Sequence, residues 1–242
     1  MATLYHISYS PWSEKARWAI AERGVRVTAR EYLPMLGEPL VRVHARRFTG
    51  RVTMPLLVDG RRVLADSFDI ARWADERGSG APLFPPASLA DIRQLNELGE
   101  RVMTAGRART TARAAERPEV LVESVPPPIA RLRPLALATG RFGTRYLARK
   151  YGFSVARANA YLKEMREALT ELRRRLAERN TFLGDFSYAD IAVAPALQFV
   201  EPVADRFVRL GPASRQTWRE PELAEEFADL VAWRDRLYAS RR

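Results

Sequence analysis

The run Ser10-Pro11-Trp12-Ser13 stands where a predicted strand passes into a predicted helix. A helix N-terminus exposes unpaired N–H groups and carries partial positive charge, so it stabilises an anion or a thiol that must ionise. No Asp-His pattern surrounds these serines, so neither hydroxyl alone is a strong nucleophile. A hydroxyl here could instead donate a hydrogen bond to a bound thiolate and lower the pKa of that thiol. The structural alternative is that Ser10 or Ser13 only caps the helix.

A third serine, Ser67, follows Asp66 at the start of another predicted helix. Serine is a preferred N-cap residue, and Ser67 is predicted to cap this helix. The functional alternative places the carboxylate of an amino acid at the helix start, held by Ser67 and backbone N–H groups. Asp66 would then face the ammonium group of the same ligand.

Met54 and Pro55 stand at the start of a predicted strand, where a proline is permitted. A cis bond between them would present the backbone of Met54 to a peptide ligand. Only about 5–6% of X–Pro bonds in folded proteins are cis. The sequence therefore leaves both geometries open.

Composition excludes several other kinds of chemistry. The 242 residues contain no cysteine, which removes disulfides, zinc–cysteine sites and a protein thiol as nucleophile. With only His6 and His44, a multi-histidine metal site is not expected, and no metal is assigned. No apolar run is long enough to span a bilayer, and the first residues lack the layout of a signal peptide. We expect a cytoplasmic protein without a membrane partner.

The elements that carry these residues form two regions. The first is predicted as strand 3–8, a helix from Ser13 that ends at Gly24, strand 25–32, an undefined stretch, a hairpin over 55–65, and the helix at Ser67. This order predicts a small mixed sheet with helices on its faces. The first helix places three polar residues on the face opposite its apolar ones: Glu14, Lys15 and Arg17.

The second region is predicted to be all-α. A linker rich in Gly, Ser and Pro separates it from the first. Apolar residues at three- and four-residue steps predict a long helix over 155–179. Prolines and glycines over 117–153 are predicted to interrupt the helical bundle, and such a segment could line a binding site. The predicted domains are residues 1–79 and 87–242.

The chain is strongly basic, with a formal net charge of +11 that comes almost entirely from arginine. The arginines are mixed with acidic residues, as at 164–167, which is typical of a solvated helix face. No nucleic-acid-binding motif accompanies the charge, so no specific nucleic acid is expected as a partner. Attraction of small anionic ligands is a simpler use of the same field.

Residues 5–20, 53–60 and 65–73 together resemble the N-terminal domain of the cytosolic glutathione S-transferases. The segment 181–192 resembles the C-terminal signature of that family, in which Ser187 and Asp190 form a helix capping box. The resemblance covers about residues 3–77 and 155–195. It implies a thioredoxin-like domain followed by an all-helical domain, and a homodimer.

Site residues follow from the resemblance position by position. Ser10 matches the catalytic serine or cysteine of the tau- and omega-like classes, and Ser13 is a second candidate because some classes shift the active serine along this loop. Met54 and Pro55 match the family's cis-proline pair. The remaining positions assigned to glutathione binding are Trp12, Arg51, Asp66 and Ser67.

The resemblance implies a detoxification enzyme that uses glutathione as co-substrate. Ser10 would stabilise the glutathione thiolate, which attacks a small hydrophobic electrophile held on the side of the all-α domain. Asp66 is one methylene shorter than the Glu or Gln usual before the serine, which could weaken the contact with the ammonium group. The alternative function is a non-catalytic carrier on the same fold, because fold does not determine function.

Overall fold

The computed structural model describes residues 1–33 and 37–242. Its first seven elements are β1 (Thr3–His6), α1 (Pro11–Glu22), β2 (Thr28–Glu31), α2 (Glu38–Ala45), β3 (Leu56–Asp59), β4 (Arg62–Leu64) and α3 (Ser67–Arg77). The strands form a four-stranded sheet in the order β2-β1-β3-β4, in which β1 runs parallel to β2 and antiparallel to β3, and β3 and β4 form a hairpin. The predicted thioredoxin-like arrangement is confirmed.

Side-chain alternation along the strands gives this sheet an apolar cluster on each face. Leu4 and Leu57 pack with Ile20 of α1 and Trp73 of α3 on one face. The other face is covered by a second cluster: Tyr5, Tyr32, Val41, Ala45, Val52, Leu56 and Val58. The central strand β3 is therefore apolar at successive positions, as expected for a strand buried on both sides.

Helix α2 is absent from the sequence-based interpretation, which defined no element in that stretch. The helix has only eight residues, and it buries only Val41 and Ala45. Such a short helix carries little periodic signal, and its packing against the sheet stabilises it.

The rest of the chain is helical, and the predicted all-α character is confirmed. The helix predicted over 155–179 is present, with Met165, Leu169 and Leu172 fully buried. The α-helices in this part of the chain are α4 (Leu89–Ala115), α5 (Pro118–Glu123), α6 (Pro127–Ala130), α7 (Arg133–Tyr151), α8 (Ala158–Leu176), α9 (Tyr188–Val193), α10 (Pro212–Trp218), α11 (Pro221–Glu226) and α12 (Ala228–Arg241). Short 3₁₀ helices lie at Pro86–Ser88, Val155–Arg157 and Ala194–Phe199.

The predicted interruption over 117–153 is wrong as a description of this segment. Three helices occupy it, and each has a proline in its first turn: Pro118, Pro127 and Pro134. A proline there costs no hydrogen bond, because the first N–H groups of a helix have no partner within it. The prolines therefore begin helices here.

The chain forms two compact units that are discontinuous in sequence. One contains Met1–Asn96, Arg179–Pro195 and Ser240–Arg242, and the other contains Glu97–Glu178 and Ala196–Ala239. The domain boundaries predicted at residues 79 and 87 stay a prediction. In the two described stretches, no helix is both long and apolar enough to cross a bilayer.

Candidate functional site

Strand register brings three chain segments to one edge of the sheet. Tyr5 of β1 lies opposite Leu56 of β3, and Leu57 lies opposite Leu64 of β4. Because both pairings are antiparallel, the end of β1, the start of β3 and the end of β4 share this edge. The segments beyond these ends are 7–10, 53–55 and 65–67, and they carry most of the predicted site residues.

Ser10 is the N-cap residue of α1, but its hydroxyl makes no capping hydrogen bond. The backbone of Ser10 makes the local hydrogen bonds instead. Its N–H donates to the Ile7 carbonyl at 3.1 Å, and its carbonyl accepts from the Glu14 N–H at 2.9 Å. The structural alternative for Ser10, a side-chain cap, is therefore wrong. Its half-buried hydroxyl lies at the positive end of a twelve-residue helix.

Ser13 has a different environment. Its side chain is fully buried, and its hydroxyl accepts a hydrogen bond from the Ile7 N–H at 3.0 Å. This bond ties the segment after β1 to the first turn of α1.

The N-cap of α3 is Asp66, and the prediction that Ser67 is the cap is wrong. Asp66 has extended backbone angles, and its Oδ1 atom accepts from the N–H groups of Phe68 at 2.8 Å and Asp69 at 3.3 Å. A carboxylate at this position accepts hydrogen bonds from two backbone N–H groups, and the positive end of the helix stabilises its negative charge. Ser67, one residue later, is already helical.

The hydroxyl of Ser67 is buried without a hydrogen-bond partner in the part of the chain that the structure describes. The residue is 2% exposed. A buried polar group without a hydrogen-bond partner lowers the stability of a protein by about 1–3 kcal/mol, so such groups are rare in native proteins. A ligand group that accepts a hydrogen bond at the start of α3 would satisfy this hydroxyl.

The segment 53–55 contains a cis peptide bond between Met54 and Pro55, which confirms the cis alternative. Thr53 Oγ1 donates to the carbonyl of Ala65 at 3.4 Å and so links this segment to the segment before α3. Trp12 and Arg51 lie outside the three segments. Trp12 is half-buried in the first turn of α1, and Arg51 is exposed.

An aromatic cluster supports the start of α3. Phe68, the neighbour of Ser67, makes edge contacts with Phe84 and Tyr188, with ring centroids 5.2 and 5.4 Å apart. Phe84 and Tyr188 stack on each other at 4.7 Å. Sequence reasoning assigned nothing to these rings, because no local spacing connects three aromatic residues so far apart in the chain.

Tyr188 begins α9, and the predicted capping box of this helix is confirmed. The Ser187 hydroxyl accepts from the Ala189 N–H, and an Asp190 carboxylate oxygen accepts from the Ser187 N–H at 2.9 Å. Burial raises the pKa of Asp190 to about 6, although hydrogen bonds from the Phe182 and Ser187 N–H groups oppose the shift.

Two charged residues of α1 are buried, contrary to the prediction that placed them on the polar face. Glu14 forms ion pairs with Arg17 and with Arg242, whose Nε lies 2.7 Å from Glu14 Oε1. Lys15 donates to the Asn96 side chain at 2.7 Å. Arg242 and Asn96 are far away in sequence from Glu14 and Lys15, which is why helix periodicity placed both residues wrongly. Among residues 1–33 and 37–242, no cluster of three or more His, Cys, Asp or Glu side chains could hold a metal ion.

Two family models match the chain. The glutathione S-transferase N-terminal domain matches residues 9–77, and the glutathione S-transferase C-terminal domain matches residues 154–236. The chain belongs to the glutathione S-transferase family. The N-terminal match contains the segments 53–55 and 65–67 and the last two residues of the segment 7–10. No curated protein sequence matches this glutathione S-transferase family member significantly.

Solved structures share the fold at low sequence identity. A glutathione S-transferase from Methylobacterium radiotolerans, in complex with glutathione sulfonate, superposes with a TM-score of 0.64 at 20% identity, over 98% of this chain and 90% of that one. Rice GST1 in complex with glutathione gives 0.62 at 18%, over 97% and 86%. A Pseudomonas fluorescens family member with bound S-(propanoic acid)-glutathione gives 0.59 at 23%, over 100% and 93%.

Proposed function

We propose that this protein binds glutathione at the edge where the three segments meet and transfers the glutathione thiolate to a small hydrophobic electrophile. The observation that carries the proposal is the Ser67 hydroxyl at the start of α3, which is buried and has no hydrogen-bond partner among the described residues 1–33 and 37–242. Membership of the family and the glutathione complexes of related folds support the choice of ligand.

The γ-glutamyl end of glutathione is assigned to the start of α3. Its carboxylate accepts hydrogen bonds from the Ser67 hydroxyl and from the Ser67 backbone N–H, and the helix dipole favours its charge. Capping bonds occupy Oδ1 of Asp66, and Oδ2 is assigned to the ligand's ammonium group. The Met54 backbone contacts the peptide, Trp12 packs beside it, and Arg51 meets the glycyl carboxylate.

The thiol is assigned to Ser10. Its hydroxyl donates to the sulfur and favours the thiolate, and the positive end of α1 adds to this effect. A hydrogen bond to a charged group contributes about 1.5–3 kcal/mol, which lowers a thiol pKa by about one to two units. Ser13 is the weaker candidate, because its buried hydroxyl already holds the Ile7 N–H.

The reaction is a nucleophilic transfer. The thiol proton goes to solvent, the sulfur lone pair forms a bond to an electrophilic carbon, and the leaving group departs with its bonding electrons. The protein supplies position and thiolate stabilisation, and no residue forms a covalent bond with the substrate. We propose a cytoplasmic homodimer with a role in detoxification.

A non-catalytic carrier is the second candidate, and the geometry of Asp66 favours it. One of its oxygens is committed to two backbone N–H groups, and its side chain is short. A weakened ammonium contact could leave glutathione bound in a register that does not bring its sulfur to Ser10. Turnover of a generic electrophile separates the carrier from the enzyme.

Calorimetric titration of glutathione tests the site. We expect Ser67→Ala to weaken binding about tenfold or more, because a hydrogen bond to a carboxylate is lost. Ser79→Ala, in the exposed linker after α3, is the matched control and should bind as the wild type does. Equal affinities for the wild type and Ser67→Ala would contradict the assigned site.

Turnover then tests Ser10. Ser10→Ala should leave glutathione affinity nearly unchanged, raise the pKa of the bound thiol by about one to two units, and lower kcat by about 10- to 100-fold near neutral pH. An unchanged thiol pKa in Ser10→Ala would contradict the assigned role. Glutathione binding without turnover in the wild type would favour the carrier.

A further inference from the structure

Most of the net positive charge of the chain comes from one stretch that lacks acidic residues. Between Glu123 and Glu164 there is no acidic residue, although the whole chain has 29. The same stretch contains eight basic residues: Arg131, Arg133, Arg141, Arg145, Arg149, Lys150, Arg157 and Lys163. Most of this stretch is α6 and α7.

Helix α7 presents part of this charge as a stripe. Arg141, Arg145 and Arg149 are all exposed, and their four-residue spacing aligns them along one side of the helix. None of the three forms an ion pair with an acidic side chain of the residues that the structure describes. Within these described stretches, no acidic side chain therefore neutralises their charge.

The arginines of helix α8 have a different arrangement. Arg166 pairs with Glu226 at 2.7 Å, Arg173 with Asp229 at 2.8 Å, and Arg174 with Glu171 at 2.6 Å. The basic residues of α8 thus match the solvated, charge-paired face that the sequence indicated for the whole chain. The stripe on α7 does not.

Large apolar side chains lie exposed beside the stripe. Phe142 is 61% exposed, Leu132 is 60% exposed and Leu135 is 49% exposed. Leu135 and Phe142 are about two helical turns apart, so they lie on the same side of α7. This side also carries Arg145 and Arg149. A face that combines unpaired arginines with exposed apolar side chains is typical of helices that lie on an anionic bilayer.

We propose that the exposed face of α7, with Leu132, is a docking surface for anionic phospholipid headgroups. The arginines attract the headgroup charge, and the aliphatic and aromatic side chains enter the boundary between headgroups and acyl chains. This peripheral contact replaces the expectation of no membrane partner and requires no spanning helix. It is independent of the glutathione site.

Two other occupants fit the surface less well. Nucleic acid would satisfy the arginines, and Phe142 offers one ring on which a base could stack, but Leu132 and Leu135 offer none. A second copy of the chain also carries a net charge of +11, and an isologous contact centred on this face would bring like charges together. A bilayer accommodates both the arginines and the leucines.

Co-sedimentation with vesicles tests the proposal on the full chain. We expect binding to phosphatidylcholine vesicles that contain phosphatidylserine, and little binding to phosphatidylcholine alone. Each basic residue at an anionic bilayer strengthens binding about fivefold, so the triple variant Arg141→Gln, Arg145→Gln, Arg149→Gln should bind about a hundredfold more weakly. A weaker dependence on ionic strength should accompany this loss.

Matched variants distinguish the surface from net charge alone. The triple variant Arg26→Gln, Arg30→Gln, Arg61→Gln removes the same charge from exposed positions outside α7 and should retain most of the binding. Phe142→Ala with Leu135→Ala leaves the charge unchanged and should still reduce binding severalfold, because apolar insertion is lost.

Several results would overturn the proposal. One is equal binding to charged and neutral vesicles, and another is equal loss in the two arginine variants. Tight binding to duplex or single-stranded oligonucleotides with none to vesicles would assign the face to nucleic acid. A change of oligomeric state in the α7 variant, with vesicle binding intact, would assign it to self-association.

Discussion

Asp190 shows how one buried carboxylate contributes both structure and pH dependence. Its oxygens accept the N–H groups of Phe182 and Ser187, so it holds the start of α9. Burial nevertheless disfavours its charge and raises its pKa to about 6. The folded state therefore binds more protons than the unfolded state between the ordinary pKa of 3.8 and about 6.

We expect this group to lower stability as pH rises through that range. Its contribution to the free energy of unfolding should fall by up to about 3 kcal/mol. Denaturant unfolding at several pH values measures the effect, and the difference between wild type and Asp190→Asn should shrink by that amount. Asp205, whose pKa Arg215 lowers, should show the opposite slope in Asp205→Asn. A pH-independent difference for Asp190→Asn would contradict the prediction.

Asp66 combines a structural role with the proposed ligand contact, and two substitutions separate them. Asp66→Asn keeps the side-chain oxygen that caps α3 but removes the charge assigned to the ammonium group. We expect it to retain stability and to bind glutathione about 10- to 100-fold more weakly. Asp66→Ala should lose the same affinity and also about 1 kcal/mol of stability. Unchanged glutathione affinity in Asp66→Asn would show that the carboxylate charge does not contact the ligand.

At the scale of elements, α7 depends on close contact with α5. A Cβ atom added at Gly140 would lie 2.8 Å from the Leu121 carbonyl oxygen and 3.0 Å from its Cα atom. Backbone atoms cannot move away as a flexible side chain can. Gly143, in the same helix, has nothing within 4 Å of its added Cβ.

These two glycines form a matched pair for mutation. We expect Gly140→Ala to destabilise the protein by about 1–3 kcal/mol, because the helices must separate. Gly143→Ala should instead stabilise it by up to about 1 kcal/mol, since alanine is the better helix former. Thermal and denaturant unfolding give both values. Similar effects of the two substitutions would show that the contact with Leu121 does not limit the packing of α7.

At the scale of the whole molecule, the net charge of +11 opposes self-association. For the proposed homodimer, added salt should screen this repulsion and lower the dissociation constant. Sedimentation equilibrium at low and physiological ionic strength measures it, with a sample at twice the chain mass expected at the higher salt. A chain that stays monomeric at every salt concentration would contradict the dimer, and a dimer weakened by salt would indicate attractive contacts between subunits.

Local signals in the sequence were enough to predict many of the strands and helices of this protein. β-Branched and aromatic residues predicted the first strand, the Asp59-Gly60 turn predicted the hairpin, periodicity predicted α8, and Ser187 with Asp190 predicted the start of α9. These features depend on residues within a few positions of each other, so a linear pattern contains them. Together with the run at Ser10 and the Asp66-Ser67 pair, they were enough to identify the family.

Tertiary structure decided which polar groups are buried and which remain without a partner. Glu14 and Lys15 lie in the interior because Arg242 and Asn96, 228 and 81 positions away, supply their partners. The Ser67 hydroxyl has no hydrogen-bond partner in the described part of the chain, because Asp66 takes the capping role beside it. Partners distant in sequence determine the free energy of burying a charge or a hydroxyl, and no local pattern encodes them.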